Sequence, residues 1–205
     1  MSTTSSAGAR EPKRQRGHIR VAAIMEAGAE VFTERGYDAA TMTEIAARSG
    51  TAIGSLYRFF PSKESLADAL LLRYAQHALD GFAELGERAE HMTLDGLAGA
   101  FIDFKLALQS QRSLAIALVD ARGGSDDIRL RFRKAMQGSV GSILRKAIPC
   151  LTQAKSEAMA VILLHSLKAV SRAAQEDPAP RRMLLAEIRE LVRAYLVSAQ
   201  CSHTE

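Results

Sequence analysis

The sequence predicts an all-α protein, with an N-terminal three-helix unit containing a helix-turn-helix and a larger C-terminal helical domain. Three observations carry this expectation. Residues 41–66 spell two short helical stretches around Gly50, then an aromatic pair and a fresh helix start. Elsewhere the apolar residues recur at helical spacing, no strand-like alternation stands out, and only 5 prolines interrupt the chain. With 205 residues and 47% hydrophobic content, the chain has room for a small domain, a larger one, and a full core.

Taken in order, residues 18–35 set Val21, Ile24, Gly28, Val31 and Phe32 near one helical face, and Gly36 stands where a C-terminal cap is expected. Thr41 and Glu44 have capping-box spacing: Thr41 caps the Glu44 N–H, the Glu44 carboxylate returns to the Thr41 N–H, and a helix starts at Met42. Met42, Ile45 and Ala46 form its apolar stripe, and Gly50 supplies the left-handed turn. A second short helix, about residues 52–58, carries Ile53, Leu56 and Tyr57; Pro61 stops it and Ser62 caps a long helix from Lys63. Such a pair of helices is a device for setting one helix into the DNA major groove.

The long helix is expected to reach about Glu87, with Leu66, Leu70, Tyr74, Ala78 and Phe82 along it. Thr93 with Asp95 opens the next, bearing Leu97, Phe101, Phe104 and Leu108; a short apolar helix covers Ser113–Arg122. Gly123 and Gly124 mark a break, Ser125 opens a helix through Phe132, Met136, Val140 and Leu144, and Pro149 ends it. Ser156–Glu176 is apolar almost all round, and Pro178 and Pro180 separate it from Met183–Ala199.

Residues Arg20, Ala27, Phe32, Gly36, Tyr37, Thr41, Met42, Thr43, Ile45, Ala46, Ser49, Gly50, Gly54, Ser55, Leu56, Tyr57, Phe60, Lys63 and Leu66 resemble, in identity and spacing, the N-terminal domain of the TetR (tetracycline-repressor-like) family of transcription regulators. The resemblance covers about residues 18–66. It implies a DNA-binding domain over 18–66 and an effector-binding and dimerisation domain over 67–205; charge and composition add a disordered basic arm over 1–17. It also implies DNA-binding roles by position: Thr41 and Thr43 toward the phosphate backbone, Ala52, Ile53, Gly54 and Ser55 toward base edges, and Tyr57 and Lys63 toward phosphates. Arg48 is added because the recognition helix has no Arg, Asn or Gln before Arg58. The family's usual serine cap is replaced by Thr51-Ala52, which leaves Thr51 as the substitute cap.

For the second domain the resemblance implies a homodimer through the last two long helices, here Met159, Ile162, Leu163, Leu184, Ile188, Leu191 and Tyr195, and a pocket for a small hydrophobic ligand, here Phe82, Phe101, Phe104, Leu108, Phe132, Met136 and His165. The partners implied are a double-stranded, pseudo-palindromic DNA operator, a second copy of the chain and that ligand. The expected activity is a repressor released by the ligand; the alternative is a regulator without a small-molecule effector, controlled by a protein partner.

Net charge is +4, and residues 1–20 hold Arg10, Lys13, Arg14, Arg16 and Arg20 against Glu11, so the excess sits in the arm. Two readings of the arm stay open: a solvated tail, or a segment that orders along phosphates. No apolar signal segment or membrane-length run is present, so a cytoplasmic protein is expected. Cys150 and Cys201 lack CxxC spacing and read most simply as reduced thiols, with a redox switch through Cys150 as the alternative. No histidine pair has metal-ligand spacing, and no nucleophile elbow, phosphate loop, HExxH or recognisable carboxylate pair appears, so neither metal, cofactor nor catalysis is expected.

Overall fold

The computed structural model describes residues 13–122 and 126–200; residues 1–12 of the expected arm, the Gly123–Gly124 break, the Ser125 cap and Cys201 lie outside them. Among the described residues the protein is all-α. The order is α1 (Lys13–Ala39), α2 (Met42–Arg48), α3 (Ile53–Phe59), α4 (Lys63–Arg88), a 3-10 turn (Ala89–His91), α5 (Leu94–Ala107), α6 (Gln109–Ala121), α7 (Asp126–Ala147), α8 (Gln153–Ser166), α9 (Lys168–Ala173) and α10 (Pro178–Val197). Two compact units divide between Leu71 and Leu72, within α4 and five residues beyond the expected boundary.

In the first unit Ile24 and Val31 of α1, Ile45 of α2, Leu56 of α3 and Leu66 of α4 are wholly buried. Burial of each such side chain is worth about 1.5–3 kcal/mol. Two glycines shape this unit. A Cβ on Gly28 would stand 2.8 Å from Leu66 Cδ2, so its absence lets α4 approach α1. Gly36 (φ 76°, ψ 164°) breaks the helical path of α1 in a region that an L side chain avoids. The helix begins at Lys13, earlier than expected, so part of the basic arm is helical.

In the second unit one core joins α5, α7, α8 and α10 through Leu97, Phe101, Ile143, Leu144, Met159, Leu163 and Leu196. Thr93 caps α5 as expected, its Oγ1 accepting from Gly96 N at 3.1 Å. Two expectations are corrected. The helix foreseen over 156–176 is two, because the chain leaves α-helical pairing at Leu167. Pro178 and Pro180 do not separate helices; they open α10 after Asp177 at its N-cap, where the missing proline N–H leaves no helical bond unmade. Cys150 is disulfide-bonded, against the expectation of two reduced thiols.

Candidate nucleic-acid interface

The helix-turn-helix is built from local chemistry. Thr41 Oγ1 accepts from Glu44 N at 3.2 Å and so caps α2. Only this half of the expected capping box forms; the Glu44 carboxylate accepts instead from Arg35 Nε at 3.2 Å. Gly50 makes the turn with φ 61°. Thr51 does not cap α3: its hydroxyl lies 3.5 Å from Ser49 O, and Ala52 holds the N-cap position without a side-chain bond. Ser62 and Ser65 cap α4 reciprocally, with Ser65 N donating to Ser62 Oγ at 3.2 Å and Ser62 N to Ser65 Oγ at 3.1 Å.

This frame presents one face of α3. Leu56 faces the core, while Ala52, Ile53, Gly54, Tyr57 and Arg58 are exposed. Ile53 with Tyr57, and Gly54 with Arg58, are pairs one turn apart, so the four form one patch. Tyr57 is 48% exposed, and its hydroxyl can donate to a phosphate. Thr43 is exposed on α2, and the Thr41 hydroxyl, already accepting from Glu44 N, retains its own proton to donate.

Three expected contact residues stand elsewhere. Ser55 Oγ is buried and unpartnered, on the flank of α3 rather than its front. Arg48 is engaged with α1: Nη1 and Nη2 donate to the two Glu34 oxygens at 2.5 and 2.8 Å, with Glu30 3.7 Å away. The Arg48 hydrogen bond holds the Glu34 carboxyl below the usual carboxylate range. Lys63 Nζ donates to the carbonyls of Tyr37, Asp38 and Ala40 at 2.7, 3.0 and 3.2 Å and lies 4.6 Å from the Tyr37 ring centroid. It closes the end of α1 instead of projecting toward a ligand. Arg58, which sequence reasoning left out, supplies the exposed cation on α3, its guanidinium 5.3 Å from the Phe59 ring.

In the second unit the predicted partner residues fall into two groups. Met159, Leu163 and Ile188 are buried in their own chain and Tyr195 packs against that core, whereas Ile162, Leu184 and Leu191 remain exposed. Sequence periodicity could not separate them, because α8 is apolar on both faces. The predicted ligand residues divide similarly. Phe82, Phe101 and Leu108 are core, buried by tight packing, and His165 is exposed with Nδ1 2.8 Å from Val161 O. Phe132 is half-buried against Tyr74, with ring centroids 5.6 Å apart, and Met136 packs at the core edge. Phe104 alone of the seven lines a cleft of about 200 Å³, with His77, Asp80, Gly81, Glu84, Leu85, Arg88 and Ala100. That cleft is rich in charge, contrary to the apolar lining expected.

Among the described residues no helix is long and apolar enough to cross a membrane. A family profile described as "Bacterial regulatory proteins, tetR family" matches residues 24–70. An HTH-type transcriptional regulator of Bacillus subtilis, YvdT, is 39% identical over 57 residues, 28% of this chain and 29% of that protein. The HTH-type transcriptional activator FasR of Mycolicibacterium smegmatis is 36% identical over 100 residues, 47% of this chain and 43% of that protein. The chain thus spans less than half the length of these curated relatives. A TetR-family regulator structure from Mesorhizobium loti superposes with a TM-score of 0.67 at 19% identity, covering 93% of this chain and 100% of that one, which shows a common fold over both units.

Proposed function

Because the chain belongs to the TetR family of transcription regulators, we propose that it acts as a homodimeric, sequence-specific repressor, released from a pseudo-palindromic operator by a small molecule bound in its second unit. The observation that carries this reading is the exposed patch Ala52–Ile53–Gly54–Tyr57–Arg58, held on a short helix whose other side is locked by Leu56. The small side chains allow close approach to base edges, Ile53 suits a thymine methyl, and Tyr57 and Arg58 suit phosphates. With so few long polar side chains, DNA shape contributes much of the sequence preference.

The exposed Ile162 of α8 and Leu184 and Leu191 of α10 support dimerisation. Leu184 and Leu191 are one heptad apart on a single face, and a second copy is the partner such a face takes in a two-fold dimer. A dimer would offer recognition helices to half-sites about one DNA turn, roughly 34–36 Å, apart. FasR is named an activator; repression is proposed here because occupancy of an operator requires nothing beyond the two units described. On this reading the protein works where its operator DNA is, in the cytoplasm.

The test is fluorescence anisotropy of the full chain on mixed-sequence duplex at stepped salt. Wild type should bind with a log–log salt slope of about −0.9 per phosphate contacted. The pair Ala52→Glu and Gly54→Glu should abolish binding without lowering the melting temperature. Unchanged binding by these variants would remove α3 from the interface.

A further inference from the structure

The cleft of about 200 Å³ lies between α4 and α5, within the second unit. Its apolar lining is Leu85, Ala100 and Phe104. Phe104 is held in place twice. A Cβ on Gly81 would enter the Phe104 ring, so the glycine lets that ring lie against the α4 backbone, and Phe82 meets it edge-on at 4.9 Å. At about 30 Å³ per water, the cleft has room for roughly seven waters. That suits a small metabolite rather than a drug-sized molecule, whose pockets run to about 300–1,000 Å³.

The polar lining follows α4 in a fixed order, with His77, Asp80 and Glu84 first and Arg88 last. His77 Nδ1 lies 2.9 Å from Gln111 Oε1; that oxygen accepts, so Nδ1 carries the proton and Nε2 of the neutral ring is an acceptor. Asp80 Oδ1 accepts from Gln76 Nε2 at 2.7 Å, and its second oxygen can accept again. Three successive turns therefore offer acceptors and the fourth offers donors. Glu84 and Arg88 stand at i and i+4 in the order that favours an ion pair, with Cβ atoms about 5–6 Å apart. Among the described residues neither forms an ion pair or hydrogen bond. Arg172, in the less favourable order, still pairs with Glu176 at 3.5 Å. The open Glu84–Arg88 pair lines one cleft with both signs of charge, each set to receive its opposite.

We propose that this cleft binds a small zwitterion, an α-amino acid with an apolar side chain of about leucine size. Its ammonium is received by Asp80 and Glu84, its carboxylate by Arg88, and its side chain by Leu85, Ala100 and Phe104. The proposal rests on the reading that the second unit takes up an effector, and it replaces the purely hydrophobic ligand expected from sequence. Both charged ends gain charge-assisted hydrogen bonds, and the guanidinium can take the carboxylate through two parallel N–H donors.

The test is thermal melting of the full chain at constant ionic strength with three matched probes: L-leucine, 3-methylbutylamine, which lacks the carboxylate, and 4-methylpentanoate, which lacks the ammonium. Leucine should raise the melting temperature saturably, and each analogue should bind at least 10-fold more weakly. Arg88→Gln should lower the leucine affinity at least 10-fold and leave that of 3-methylbutylamine unchanged, whereas Glu84→Gln should weaken both. Both side chains are exposed, so the free variants should melt as wild type does. Glu87→Gln, exposed on α4 but outside the cleft, should leave all three probes unaffected. No saturable rise with leucine, an analogue that matches it, or full leucine affinity in either cleft variant would overturn the site. Anisotropy on duplex DNA in parallel separates the two claims: failure to bind DNA in any sample refutes the regulator reading, while the melting data still decide the cleft.

Discussion

Replacing Lys63 by methionine keeps most of the stem and removes the ammonium. In the structure that ammonium serves three carbonyls at the end of α1 and sits over the Tyr37 ring. The bonds to Tyr37 O and Ala40 O are partly shielded, and each should contribute about 1 kcal/mol net; the more exposed bond to Asp38 O adds little because water can replace it. Lys63→Met should therefore cost about 2 kcal/mol, which for a chain of this size lowers the melting temperature by roughly 4–8 °C. The assay is a circular-dichroism melt, paired with anisotropy on mixed-sequence duplex across a salt series. The salt slope should stay as in wild type, since Lys63 is occupied within the protein. An unchanged melting temperature with a slope shallower by about one ion would show instead that Lys63 meets a phosphate, and would refute its role as a tie between α1 and α4.

Three further outcomes are expected. Leu56→Ala, at a wholly buried position, should cost about 2–5 kcal/mol in denaturant unfolding, whereas Ile53→Ala, 42% exposed on the same helix, should leave stability nearly unchanged and weaken DNA binding. Gly81→Ala would drive a Cβ into the edge of the Phe104 ring, and that ring is held edge-on against Phe82 at 4.9 Å; the strain should outweigh the helix-propensity gain and destabilise by about 1–2 kcal/mol, read from the melting temperature. Leu191→Glu should give a monomer in sedimentation velocity with its helicity intact, because the side chain is exposed within its own chain; a dimer that survives both this change and Leu184→Glu would move the interface off α10.

What the sequence disclosed was local. Thr41, Ser62 and Thr93 each cap within three residues of themselves, and each capping bond forms. The exposed front of α3 at Ala52, Ile53, Gly54 and Tyr57 follows from helical phase once Leu56 is inward. Long charged side chains were not legible, since their partners depend on packing. Arg48 finds Glu34, and Lys63 finds the end of α1 some 23–26 positions back. Ser55, assigned to base edges by position in the resemblance, instead buries its hydroxyl. The break at Leu167 carries no glycine or proline to announce it.

The central claim is that α3 reads DNA as one of a symmetric pair. Selection of bound fragments from random duplex DNA by the full chain, at near-physiological salt, tests it most directly. The account predicts a two-fold symmetric motif with half-sites about one helical turn apart, and loss of that motif when Ile53→Ala replaces wild type. Recovery of unrelated sequences, bound only through salt-sensitive contacts, would contradict it.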